Sequence, residues 1–223
     1  STVVDDKGTN HGTASSITYV DGKFGKCASF NGTTSYISVP ADSTIDVNST
    51  GPLRLSAWIY VDSDGEGNVG RIIDKFSGTD VGYRLWVHSE AASTVKLSFE
   101  VGYVTTNAIV ITSTTMPINT WVKIDGILNS DDSADIYING VLASYSTDTS
   151  GVGGVNDDSA VLLYLGNNSA GSATFDGELD DVRVYDGAFA VDDVELNVIQ
   201  GIYHYSVGST KDIVVRIKNT DLQ

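Results

Sequence analysis

One cysteine, one methionine and three prolines among 223 residues exclude several protein classes at once. Cys27 cannot close an internal disulfide, so the chain is no disulfide scaffold. It lies in "KCASF", where a small apolar residue suits a buried position and no basic cluster marks a reactive thiol. No apolar run reaches 18 residues, which excludes a hydropathy-defined membrane helix. The start shows no signal-peptide pattern, so Ser1 is expected to begin a mature or excised fragment. Basic residues are also few: 13 Lys and Arg stand against 29 Asp and Glu, for a net charge of −16. Such a surface repels nucleic acid and anionic membrane, and neither is an expected partner. The histidines His11, His88 and His204 lack metal-ligand spacing, and no G-x-S-x-G is present.

What the chain does have is a core and many turns. Apolar residues make up 41%, and 23 glycines accompany short clusters of Ser, Thr, Asn and Asp. That pattern reads as many strands joined by turns. The acidity has two readings: solubility in a salty or hot setting, or carboxylates gathered for cations. Asn31, Asn48 and Asn167 fall in N-x-S/T sequons, which matter if the source glycosylates.

Period-2 alternation recurs along the chain. "RLSAWIYV" (54–61) is apolar enough on both faces to be a central strand. "YRLWVH" (83–88) sets Tyr83, Leu85 and Val87 against Arg84, Trp86 and His88. "VKLSFEV" (95–101), "AIVIT" (108–112), "TWVKIDGIL" (120–128), "VLLYLG" (161–166) and "GELDDVRVY" (177–185) read as further strands. In "ADIYINGVLASYS" (134–146), Asn139-Gly140 tolerates the positive φ of a type I′ turn, which predicts a hairpin. "DTSGVGGVNDDS" (148–159) reads as one long loop. "AFAVDDVELNVIQG" (188–201) predicts a short helix, with acidic first turns and Gly201 as its stop. "IYHYSV" and "DIVVRIKN" read as two strands beyond it. The sum is an all-β chain, a two-sheet antiparallel jelly-roll sandwich with one short helix near the C-terminus.

The segments "DDKGTNHGTA" (5–14), "YVDGKFGKCASFNGTTSYISVP" (19–40), "LRLSAWIYV" (53–61), "NTWVKI" (119–124), "DIYINGVL" (135–142), "LYLGNN" (163–168) and "FDGELDDVRVYDGAF" (175–189) follow in a familiar order. Together they resemble the laminin-G-like jelly rolls of the concanavalin A-like lectin/glucanase superfamily, over roughly residues 5 to 200. The family's usual opening strand is missing, and "GIYHYSV" (201–207) resembles it displaced to the other end. Residues 1–200 are therefore expected to form the jelly roll. Residues 201–223 are expected to complete the same sandwich, in cis or from a neighbouring chain, or to start a further element.

The resemblance raises glycoside hydrolysis, whose signature there is E-x-D-x-x-E on one strand. "ELDDVR" supplies Glu178 and Asp180, but Arg183 stands where the second Glu belongs, so no catalytic residue is assigned. "DSDGEG" (62–67) resembles the start of an EF-hand loop, yet Ile73 occupies the position of the bidentate Glu. The family often holds a structural calcium between its early Asp-Gly-Asn segment and the closing strand. Carried over by position, this implies Ca2+ on Asp6, Asn10 and Asp180. Alternation turns Arg84, Trp86 and His88 away from the core, and parity does the same for Lys123 and Tyr137. Aromatic faces with interspersed polar groups suit sugars.

The expected function is a non-catalytic extracellular or surface-displayed module for carbohydrate or glycoprotein, stabilised by calcium. The alternative is a structural or adhesion domain of a larger cell-surface or virion protein, in contact with other domains or with itself. A glycoside hydrolase ranks third.

Overall fold

The computed structural model describes residues 1–47, 52–91 and 93–186. Its strands are β1 (Thr2–Val3), β2 (Gly12–Ser15), β3 (Thr18–Asp21), β4 (Lys26–Asn31), β5 (Tyr36–Val39), β6 (Leu53–Val61), β7 (Arg71–Ser77), β8 (Val81–Ala91) and β9 (Thr94–Val101). They continue as β10 (Ala108–Thr112), β11 (Met116–Pro117), β12 (Trp121–Leu128), β13 (Ala134–Ile138), β14 (Val141–Leu142), β15 (Tyr145–Thr149), β16 (Leu163–Leu165) and β17 (Asp176–Asp186). One sheet of ten strands runs β1-β2-β5-β16-β7-β8-β9-β10-β15, with β11 beside β9. The other, of seven, runs β14-β13-β12-β6-β17-β4-β3. Every pairing between these strands is antiparallel, and the two sheets form a jelly-roll sandwich.

Alternation decides which side chains fill the space between the sheets. From β6, Leu55, Ala57, Ile59 and Val61 are fully buried, and from β8 so are Tyr83, Leu85 and Val87. β9 adds Val95, Leu97, Phe99 and Val101, and β12 adds Val122 and Ile124. Successive strand residues point to opposite faces, so the intervening Trp58, Tyr60, Trp121 and Lys123 lie on the outer face of the seven-stranded sheet. Among the described residues one cation enters the space between the sheets. Lys75 on β7 is fully buried, and its Nζ lies 2.8 Å from Asp158 Oδ2 and 2.9 Å from Asp46 Oδ1. Burial pushes the Asp158 carboxyl up, even against the pull of that ammonium.

Asn139 (φ 51°) and Gly140 (φ 76°) make the predicted type I′ hairpin between β13 and β14. Its second strand ends at Leu142, however, and the chain then crosses to the ten-stranded sheet as β15. The expected loop 148–159 is partly sheet: β15 runs to Thr149, and Val152 and Val155 bridge to Thr106 and Tyr103. Of the three sequons, Asn48 lies outside the described residues. Asn167 is 1% exposed and bonds to the Ala173 amide and to Thr174, so the folded domain gives a glycan no access there. The expected helix at 188–201 and the segment 201–223 also lie outside the described residues.

Candidate functional site

β17 organises the face where the site forms. It lies between β6 and β4, and its outward side chains meet those of β6 and then β12 in register. Glu178 stands beside Tyr60, which stands beside Trp121; one step along, Asp180 stands beside Trp58, which stands beside Lys123. The Tyr60 and Trp121 rings are 5.7 Å apart at 59°. A bulge interrupts the strand after Asp180, where Asp181 (φ 47°) and Val182 together oppose Ala57. The extra residue lets Val182 join the core and keeps Arg183 outward, where it bonds Asp181 at 2.8 Å and the Tyr185 hydroxyl at 3.1 Å. Glu178, Asp180 and Arg183 therefore share one face, but the third is a cation occupied by its neighbours.

The turn between β3 and β4 closes over this face. Asp180 Oδ2 accepts the Phe24 amide at 2.7 Å. Phe24 packs edge-on against Trp58 with centroids 6.0 Å apart, and Lys23 Nζ sits 4.3 Å over the same indole. Trp58 Nε1 is buried without a hydrogen-bond partner among the described residues. Beneath the turn lies Cys27, whose thiol is pushed up to about 11 by burial and then by Asp180 and Glu178. It is an inert, small buried group, as its sequence setting predicts.

Carboxylates collect at the Tyr60–Trp121 end. Asp62 continues the outward row of β6 past Tyr60, and Asp176 lies two residues before Glu178 on β17. Burial raises the Asp62 carboxyl and Asp176 raises it further. Glu178 is raised by burial, then by Asp62 and Asp176, with a hydrogen bond from Ser29 opposing. The loop after Asp62 is closed by its own bonds: Ser63 Oγ donates to Asp176 at 2.7 Å, and Glu66 accepts the Thr174 amide and hydroxyl.

The residues expected to hold calcium sit on different elements with different partners. Asp6 is 94% exposed in the β1–β2 loop, 3.7 Å from Lys7. Asn10 donates to Thr44 Oγ1 and receives its backbone restraint from Asp5 rather than Asp6. Asp180 faces the β3–β4 turn on the other sheet. Among the described residues no group of three or more His, Cys, Asp or Glu could hold a metal. This donor set does not meet calcium's need for six to eight converging oxygens.

The expected ligand residues divide between two faces. Lys123 and Tyr137 lie on the seven-stranded sheet, with Lys123 Nζ 3.8 Å from Asp181 and Tyr137 opposite Asp125. Arg84, Trp86 and His88 belong to β8 in the other sheet, so the five cannot line one site. Trp86 is only 6% exposed, with the Arg71 and Arg84 guanidinium carbons 4.7 and 4.8 Å from its ring. Arg84 is bonded to Glu100 at 2.8 Å. His88 sits where the β8–β9 register shifts, and burial holds its imidazole below the usual range.

A family model of the concanavalin A-like lectin/glucanase superfamily, of laminin G type, matches residues 31–195. The chain belongs to that superfamily. Solved structures agree on the laminin-G-like fold. Domain 4 of AbnA, a GH43 extracellular arabinanase from Geobacillus stearothermophilus solved with arabinotriose, is 21% identical. It covers 79% of this chain and 78% of its own length, with a TM-score of 0.57. The binding domain of Paraclostridial Mosquitocidal Protein 1 is 20% identical over 80% of this chain and 44% of its own, with a TM-score of 0.60. Botulinum neurotoxin type C, whose cell entry depends on two ganglioside molecules, is 11% identical over 81% and 45%, with a TM-score of 0.57. The chain thus spans less than half of either toxin structure. No curated protein matches it.

Phe24, Trp58, Tyr60 and Asp62 were missed as members of the laminin-G-like domain's aromatic face. The signal was present: Trp58 and Tyr60 share parity with Arg54 and Ser56 and oppose the apolar Leu55, Ala57 and Ile59. The bulge was legible too, because the inward Leu179 and Val182 are three residues apart instead of two.

Proposed function

We propose that this laminin-G-like domain is a non-catalytic carbohydrate-binding module, and that the sugar lies across Tyr60 and Trp121 on the seven-stranded sheet. The observation that carries this reading is the partly exposed Tyr60–Trp121 pair flanked in register by Glu178 and followed by Trp58, Asp180 and Lys123. Aromatic rings take the C–H face of a sugar, and carboxylate oxygens accept from its hydroxyls. The arabinotriose bound by the arabinanase domain supports a sugar ligand. The arabinanase, being extracellular, supports an extracellular or surface setting.

Two features of β17 oppose catalysis. Arg183 replaces the carboxylate that a retaining pair requires, and Asp180 is committed to the Phe24 amide. The test is a glycan array followed by titration calorimetry with wild type, Trp121→Ala and Tyr60→Ala. Each truncation should weaken binding at least tenfold while the melting temperature moves little. Binding untouched by both variants would move the site elsewhere.

A further inference from the structure

The charges around the Tyr60–Trp121 pair bear on which sugars it takes, granted that the pair is the binding site. Asp62 and Asp176 are paired through the Asp62 amide and the Asp176 carbonyl at 3.0 Å, Glu178 stands next along β17 beside Tyr60, and Asp176 acts on Asp62, and both on Glu178, as like charges. The cations of the same face are engaged further along it. Lys23 covers Trp58, Lys123 approaches Asp181, Arg183 bonds Asp181, and Arg54 bonds Asp125 at 2.8 Å. At the Tyr60 and Glu178 end the aromatic platform is thus bordered by carboxylate acceptors, within a chain of net charge −16. Sugar hydroxyls are donors that such acceptors can satisfy. A uronate, sialate or sulfate placed there meets like charge at short range, and the long-range field opposes its approach.

We infer that this face selects uncharged glycans and rejects anionic ones, and that Asp62, Asp176 and Glu178 make the selection. Discrimination of this kind comes from the repulsive element as much as from the attractive one.

The experiment titrates four probes at neutral pH and low salt: linear arabino-oligosaccharides and cello-oligosaccharides as neutral ligands, sialyllactose and heparin oligosaccharides as anionic ones. Proteins are wild type, Asp62→Asn/Glu178→Gln and Trp121→Ala. Wild type should bind a neutral probe at least tenfold more tightly than either anionic probe. The double carboxamide variant, whose fold circular dichroism verifies, should narrow that ratio at least threefold, and Trp121→Ala should weaken binding of the neutral probes at least tenfold. Anionic probes that bind wild type best and are lost on Trp121→Ala would overturn the inference and leave the binding face standing. Binding that Trp121→Ala leaves unchanged, or no binding to any probe, would overturn the face itself and the inference with it.

Discussion

Asp180 and Phe24, 156 positions apart in the chain, are joined by a 2.7 Å bond from the Phe24 amide to the Asp180 carboxylate. That bond fixes the β3–β4 turn to β17 of the smaller sheet, and so holds Lys23 and Phe24 over Trp58. Within the acidic cluster of "GELDDVRVY", Asp180 thus fastens distant parts of the chain through a backbone amide.

Asp180→Ala should release the turn and cost about 1.5–3 kcal/mol, the usual range for a hydrogen bond to a charged group. Trp58 then becomes accessible to solvent, and acrylamide quenching of tryptophan fluorescence should increase. Asp180→Asn keeps an acceptor oxygen and should leave quenching near wild type. Equal quenching in all three proteins would show that the turn is held by other contacts.

Lys75 should be the most sensitive charged position in the domain. Lys75→Ala leaves Asp158 and Asp46 facing each other in the interior without their cation. Breaking a buried pair on one side costs about 3–5 kcal/mol. Urea denaturation should show a loss of that order, and Lys75→Met/Asp158→Asn should recover part of it. A single-variant loss below 1 kcal/mol would contradict the burial of the ammonium.

Asp74 makes stability depend on mildly acidic pH. Burial pushes its carboxyl up to about 6, opposed by Arg71 and Arg84 and assisted by Glu100. Between the unfolded value of 3.8 and about 6, the folded protein binds more protons than the unfolded one. Stability contributed by this group is therefore full below pH 4 and falls as pH rises through 6. At about 1.4 kcal/mol per pKa unit, the window holds on the order of 2–3 kcal/mol. Asp74→Asn should flatten the melting profile between pH 4 and 7; an unchanged profile would assign the dependence to other carboxylates.

Calcium offers a fourth test. With Asp6 turned to Lys7 and Asp180 to Phe24, added calcium or EDTA should leave the melting temperature unchanged. A rise of several degrees with calcium that Asp180→Asn abolishes would restore the closing-strand site implied by the family resemblance.

Much of the fold was readable because burial enforces alternation. Tyr83, Leu85 and Val87 had to face the core, β10 matches "AIVIT" residue for residue, and Asn139-Gly140 dictated its own turn. Two elements were harder. β7, "RIIDKFS", breaks alternation at a bulge beside Ile72 and carries a buried lysine, so its pattern does not look like a strand. β15 looked like the tail of a hairpin because local pattern cannot show a chain changing sheets after Leu142. The same blindness divided the expected ligand residues. Parity says that Arg84 and Lys123 both point outward, but only long-range pairing says that they do so from opposite sheets.

The position of β17 has a consequence for the order of events during synthesis. Until it is made, the seven-stranded sheet exists as two unjoined pieces, β14-β13-β12-β6 and β4-β3, each with an open edge. A ribosome that has not yet delivered residue 186 holds a chain whose β6 and β4 edges still lack their native partner and are open to others. Folding of this domain should thus be late and slow, governed by pairings far apart in sequence. The hazard of premature association is greatest just before β17 emerges.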